Sequence, residues 1–174
     1  MGPLPLDHLA GHAELVGGFL SAYLRGTLMT VRVERQLEVP AAVEQVWSFI
    51  ADAEKRAEAI SVVDGYDVID DKRTTWHVSL PIPGISRTVA VETEERQSDP
   101  PNYVEFVGRS KVFRVVGEHD LEAIDGRTRL TTRFVVDGRL PGVERFFDSR
   151  FDAELDNLEA ALYADLGIDP GERA

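Results

Sequence analysis

From Thr30 the chain alternates strictly between apolar and polar residues. Val31, Val33, Leu37 and Val39 fall on one face, and Arg32, Glu34, Gln36 and Glu38 on the other. A period of two marks a half-buried strand. Pro40 ends it and suits the first turn of a helix. Over Ala41–Ile50 the period changes: Val43, Val46, Trp47 and Ile50 recur at spacings of three and four, which predicts a helix with one buried face. A second short helix is predicted over Ala53–Ala59. Six β-rich runs follow, at Val62–Asp70, Thr74–Leu80, Arg87–Arg96, Tyr103–Arg109, Lys111–Ala123 and Arg127–Asp137. Turn residues separate them, and Asp125-Gly126 is a strong hairpin signal. A long helix closes the pattern from Pro141 to about Leu166. Val143, Phe147, Phe151, Leu155, Leu158 and Leu162 lie on one face with Phe146 beside them, Gly167 stops the helix and Pro170 follows.

This order predicts an α+β helix-grip fold: a curved antiparallel sheet of about seven strands around a long C-terminal helix, with two short helices after the first strand. Meander connections make the sheet antiparallel, and one of its faces must be covered by helix. Only the last helix is long enough, at about 39 Å for 26 residues. Residues 29–167 form the expected domain and 168–174 a short tail. Residues 1–28 are an N-terminal extension with two readings: a docked helix from about His8 to Leu24, capped by Asp7, or a poorly ordered segment before a natural start at Met29. No run of 18 apolar residues and no signal-peptide pattern stands out, so a cytoplasmic location is expected.

The 174 residues carry 31 acidic and 19 basic side chains, a formal net charge of −12. That excess argues against nucleic acid as a partner and against charge-driven docking on anionic lipid. Without cysteine there is no disulfide, thiolate metal site or Cys nucleophile. No metal-ligand spacing or cofactor motif stands out, so neither metal nor cofactor is expected. The basic residues are 16 Arg and three Lys. A salt-adapted proteome or a GC-rich genome would produce that skew.

Strand parity names the side chains that should face the long helix. Trp76, Phe106, Phe113 and Phe134 share the inward parity of their strands, and Phe147 and Phe151 face them from the helix. They are candidates for core packing or for the wall of a ligand cavity. Arg35 lies in phase with Val33 and Leu37, so it needs a partner, an anionic ligand or a bulge that turns it outward. His119 lies in phase with Val115 and Leu121. It is the one weak catalytic candidate, as hydrogen-bond donor or general base, against the alternative of a satisfied half-buried histidine. The acidic runs, including Asp152-Glu154-Asp156, read as solvated faces. Pro81, Ile82, Pro83 and Ile85 form an apolar hairpin tip that either packs on its own sheet or serves as a lid, membrane-touching or partner-enzyme loop.

Three segments carry a resemblance to a known group: VERQLEVPAAVEQVWSFIADAEKRAEAI, LPIPGISRTVAVETEERQSDPPNYVEF and DGRTRLTTRFVVDGRLPGVERFF. Together they resemble the START/SRPBCC superfamily of polyketide cyclase-like and lipid-transfer domains, and within it are most similar to the G-subunit family of carbon monoxide dehydrogenase. Two features depart from that subfamily: Ile60-Ser61-Val62-Val63 stands where members often read Ile-Pro-Gly, and the long membrane-associated tail of some relatives is missing. The resemblance implies a pocket for a hydrophobic or amphipathic small molecule such as a lipid, quinone or polyketide, often without catalysis. It also implies two alternatives, a cyclase/dehydratase-type enzyme using His119, and an accessory protein that recruits or matures a redox enzyme. Oligomeric state is not legible. If the acidic surface is salt-adapted, repulsion among carboxylates fades as the Debye length shrinks from ~10 Å at 0.1 M to ~3 Å at 1 M salt. The melting temperature then rises from dilute buffer to molar KCl; a melting temperature indifferent to salt would sink that reading.

Overall fold

The computed structural model describes residues 30–84, 88–169 and 171. The predicted N-terminal extension, Ile85 and Pro170 lie outside them. Seven strands form one antiparallel sheet: β1 (Thr30–Val39), β2 (Val63–Asp70), β3 (Arg73–Ser79), β4 (Thr88–Asp99), β5 (Tyr103–Arg109), β6 (Phe113–Ile124) and β7 (Arg127–Gly138). Their spatial order is β1-β7-β6-β5-β4-β3-β2, so the meander from β2 to β7 is closed on its far side by β1. Helices α1 (Val43–Ile50) and α2 (Ala53–Ala59) follow β1, and α3 (Val143–Leu166) ends the fold. This is the helix-grip arrangement. Among the described residues no helix is long and apolar enough to cross a membrane.

Local chemistry sets the boundaries and corrects three expectations. Pro40 does not open α1. The Ala41 N–H donates back to the Val39 carbonyl, and the helix starts after Ala42, whose N–H is met by the Gln45 side chain at 3.2 Å. Pro141 does not open α3 either. Gly142 intervenes with φ of 89°, a left-handed conformation that leaves Val143 as the first helical residue. Strand β4 runs three residues beyond Arg96 because a register shift between Glu95 and Gln97 lets it go on pairing with β5. Asp52 caps α2 by accepting from the Glu54 and Lys55 N–H groups at 2.9 and 3.1 Å. Gly167 ends α3 in the left-handed region, with the Ile168 N–H returning to the Tyr163 carbonyl.

The core has two parts. One gathers Val39, Val46, Phe49, Ile50, Val104, Leu121 and Leu130 under the C-terminal half of α3, at Leu158 and Leu162. The other gathers Val78, Leu80, Val91, Phe113 and Val136 near the start of α3, at Val143. Between them, two rows of side chains cross the concave face. Register aligns Val33, Phe134, Gly117 and Phe106 in one row and Arg35, Thr132, His119 and Val104 in the next. Gly117 is the only residue in the first row without a side chain, and the Phe106 ring lies over it. A Cβ there would sit 2.3 Å from the ring's Cζ.

No bulge turns Arg35 outward. Its register is regular, and it meets α3, where its guanidinium pairs with Asp156 at 2.5 Å and Asp152 at 3.1 Å. On the convex face, arginines and glutamates pair across strands, as in Arg133–Glu34 at 2.8 Å and Arg129–Glu38 at 3.4 Å. The Gly117 contact yields a test. Gly117→Ala forces the Phe106 ring aside and costs about 1–3 kcal/mol, the usual size of overpacking. Chemical denaturation should show that loss, and adding Phe106→Leu should recover part of it; full stability in the single variant would refute the contact.

Candidate functional site

The space between the two halves of the core is a cavity of about 100 Å³, against the ~10–15 Å³ that one water needs. Its walls come from β3–β7, the α2–β2 connection and the middle of α3. All seven predicted aromatic and imidazole wall residues line it: Trp76, Phe106, Phe113, His119, Phe134, Phe147 and Phe151. Their rings touch in series. Phe134 stands edge-on to Phe106 at 6.0 Å and stacks on Phe151 at 5.4 Å, Phe151 lies 5.6 Å from Phe147, and Phe147 meets Phe113 at 4.9 Å. A continuous aromatic wall therefore runs along the helix.

Two of the sequence-derived candidates stand elsewhere. Arg35 does not line this cavity; its charge is committed to α3, beside a smaller hollow with Leu37, Leu130 and Leu162. In the hairpin tip, Ile82 is half-buried against the cluster at the start of α3, while Pro81 and Pro83 are exposed. None of the described tip residues lines the cavity, and Ile85 lies outside the described residues.

His119 is fully buried, with Nδ1 3.0 Å from the Thr132 hydroxyl. Burial, reinforced by the nearby Arg56 charge, pushes its pKa down to about 3. The ring is therefore neutral at pH 7, and its Nε2 has no hydrogen-bond partner. Strand parity placed this side chain correctly.

Parity could not place Arg56. It lies on α2, is 4% exposed, donates to the Ile50 carbonyl and holds its guanidinium 4.8 Å over the Phe106 ring. Burial lowers its pKa to about 10 against the opposing pull of Glu95 and Asp52, so it stays charged at pH 7. Its Nε is unpaired, and so is Nε1 of Trp76. The helical spacing of Ala53, Arg56, Ala57 and Ile60 was the available signal, since it puts Arg56 on the buried face.

Glu154 corrects the reading of its acidic run as a solvated face. It is 7% exposed, lines the cavity, and accepts from the Ser61 N–H at 2.7 Å and the Ser61 hydroxyl at 2.5 Å. It thus ties the loop after α2 to α3. Its place three residues after Phe151 and four before Leu158 puts it on the inward face of the helix. Arg150, an exposed residue one turn earlier, also lines the cavity. Among the described residues no group of three or more His, Asp or Glu side chains gathers to hold a metal ion.

A curved sheet gripping a helix over an apolar cavity defines the class: this is a helix-grip protein. The chain belongs to the family described as polyketide cyclase / dehydrase and lipid transport, whose model matches residues 30–163. A search of curated proteins finds no match. Solved structures share the fold. A conserved protein from Geobacillus kaustophilus superposes with a TM-score of 0.66 at 16% identity, covering 79% of this chain and 95% of its own. A START superfamily protein from Mycobacterium smegmatis gives 0.62 at 15% identity, with 76% and 94% covered. The Zhui aromatase/cyclase from Streptomyces sp. R1128 gives 0.58 at 18% identity, with 80% and 93% covered. The particular similarity to the G-subunit family of carbon monoxide dehydrogenase does not emerge from these matches.

The buried imidazole has a pH signature. Unfolded, its pKa returns to the ordinary 6.5, while the folded value is about 3. Its contribution is fully present above pH 6.5 and is lost as pH falls from there toward 3, because only the unfolded chain takes up the proton. The slope reaches about 1.4 kcal/mol per pH unit. Urea titrations of the wild type and His119→Gln should diverge by that slope between pH 6.5 and 5, since the carboxylates are common to both. Parallel pH profiles would show that His119 is not held neutral.

Proposed function

We propose that this protein binds a hydrophobic or amphipathic small molecule, of lipid, quinone or polyketide type, in the cavity between sheet and α3, without chemically changing it. The observation that carries this reading is the aromatic-walled cavity, which separates two well-packed halves of the core. A fold selected for stability alone would close such a space, because unfilled volume costs about 24 cal/mol per Å³ in a hydrophobic core. Membership in a family of cyclase, dehydrase and lipid transport domains supports it.

The basicity of His119 weighs against the enzymatic alternative. A general base works best with a pKa near the working pH, and this imidazole is held near 3. The cyclase/dehydratase reading rests on its unpaired Nε2 within the cavity. The accessory reading, recruitment or maturation of a redox enzyme such as carbon monoxide dehydrogenase, rests on the hairpin tip, where among the described residues Pro81 and Pro83 are exposed. No observation favours it over ligand binding.

Native mass spectrometry and solvent extraction of the purified protein should reveal a co-purifying apolar molecule. A panel of quinones, fatty acids and aromatic polyketides should contain at least one compound that raises the melting temperature. An empty protein with no shift across the panel would refute the proposal. Turnover of a panel compound that disappears in His119→Ala while binding survives would replace it with the enzymatic reading.

A further inference from the structure

Resting on ligand binding as proposed above, we propose that the molecule held in the cavity carries an anionic oxygen head of the carboxylate class. The head is seated on Arg56 and His119, and its apolar body lies along the Phe134–Phe151–Phe147 wall. Three polar side-chain atoms in the described structure are buried without a hydrogen-bond partner: Arg56 Nε, Trp76 Nε1 and His119 Nε2. All three residues line the same cavity. Orphans of this kind are rare in native proteins, and each one asks for an explanation. Two of them, on Arg56 and His119, stand against the same Phe106 ring and have a common explanation in a ligand group that pairs with both.

Their chemistry restricts that group. The Arg56 and Trp76 nitrogens are donors only. The Thr132 hydroxyl, 3.0 Å from His119 Nδ1, can donate to that nitrogen and so leave the hydrogen on Nε2. All three orphans are then donors; register sets Trp76, opposite Val91, toward the Phe113 end of the cavity, so a group with several acceptor lone pairs satisfies Arg56 and His119 together. Charge restricts it further. Arg56 makes no ion pair among the described residues. The Phe106 ring and the Ile50 carbonyl recover only part of what a guanidinium loses on leaving water.

The cavity's own carboxylate, Glu154, is engaged by Ser61 and by Asn157. With His119 neutral, the charged residues on the lining are Arg56, Arg150 and Glu154, a balance of one positive charge inside a chain of net charge −12. A cationic head would face Arg56 directly, and a neutral one would leave its charge without a counter-charge.

Position completes the argument. Arg56 and His119 both stand against Phe106, at 4.8 and 5.8 Å from the centre of its ring. The aromatic wall begins beside them at Phe134, which is 6.0 Å from the imidazole, and leads away from the head. The stretch of α3 from Phe146 to Leu158 rises about 18 Å, room for an extended apolar body.

Matched probes test this by isothermal titration calorimetry at pH 7.5: dodecanoate against dodecanol, and 2-naphthoate against its methyl ester. In at least one pair the acid should bind about tenfold or more tightly than its neutral partner, the preference that a charge-assisted hydrogen bond commands. Arg56→Met should bring the two within about threefold while leaving the neutral partner's affinity in place. Neutral partners binding as tightly as the acids to the wild type would overturn the anionic head and leave ligand binding standing. Binding by none of the four would overturn both. An acid preference that persists in Arg56→Met would remove Arg56 from the assignment. Should that variant not fold, the wild-type pairs decide alone.

Discussion

Seven strands spaced ~4.8 Å apart make a sheet about 29 Å across, whereas one α-helix with its side chains is ~10–12 Å wide. A single long helix cannot cover the concave face of such a sheet, and that mismatch governs the rest of the molecule. On one side α1 fills the deficit, packing Val46, Phe49 and Ile50 against Leu121, Leu130 and Leu158. At the other end Leu80, Phe113 and Val136 close on Val143 at the start of α3. Between the two groups, rings from the sheet and from α3 meet along one wall and leave the cavity beside them open. Four of the wall's aromatic residues, Trp76, Phe134, Phe147 and Phe151, are therefore only half-buried, while Phe106 and Phe113 are buried.

Keeping that middle open requires polar contacts that are inconspicuous in the chain. Glu154 bridges α3 to the turn at Ser61, which holds Ile60, Val62 and Val63 against the cavity. Arg35 bridges β1 to α3 from the opposite flank through Asp152 and Asp156. The helix is thus gripped by hydrogen bonds from Ser61 to Glu154 on one side of its apolar face and by the Arg35 ion pairs on the other. The absence of a side chain at Gly117 lets Phe106 lie flat enough to carry the Arg56 guanidinium. Backbone approach, ring position and buried charge are one linked arrangement.

Strand parity made much of this legible in advance. Alternation depends only on the pleat, so it correctly turned Trp76, Phe106, Phe113, His119 and Phe134 toward the helix without any knowledge of sheet order. Arg35 was in the right phase as well, but phase does not say which partner waits opposite. Its partners, 117 and 121 residues further along the chain, were hidden in a run of acids that looked uniformly solvated. Arg56 and Glu154 were missed for a related reason. Each is a charged residue on the buried stripe of a helix, where composition argues for the surface and only the three- and four-residue spacing argues for the interior. Helix α2 has seven residues, too few for that spacing to stand out. The shortfall in helical cover was legible; the charges placed beside it were not.

The net charge of −12 and the lining of the cavity therefore describe different environments. On the convex face the carboxylates meet arginines across neighbouring strands and water screens the remainder, so each pair contributes little. At physiological ionic strength their field fades within ~8 Å. Arg56 lies beneath that layer, beside phenyl rings, where screening is weak and one charge acts strongly on any group that reaches it. A molecule approaching this protein first meets an acidic surface that contributes little to selection at contact distance. Inside, Arg56 is the buried cation on the cavity lining among the described residues, with the His119 imidazole against the same Phe106 ring. Under the anionic-head proposal, discrimination among apolar ligands of similar size rests less on the aromatic wall, which accepts many shapes, than on whether the ligand brings an acceptor to Arg56 and His119.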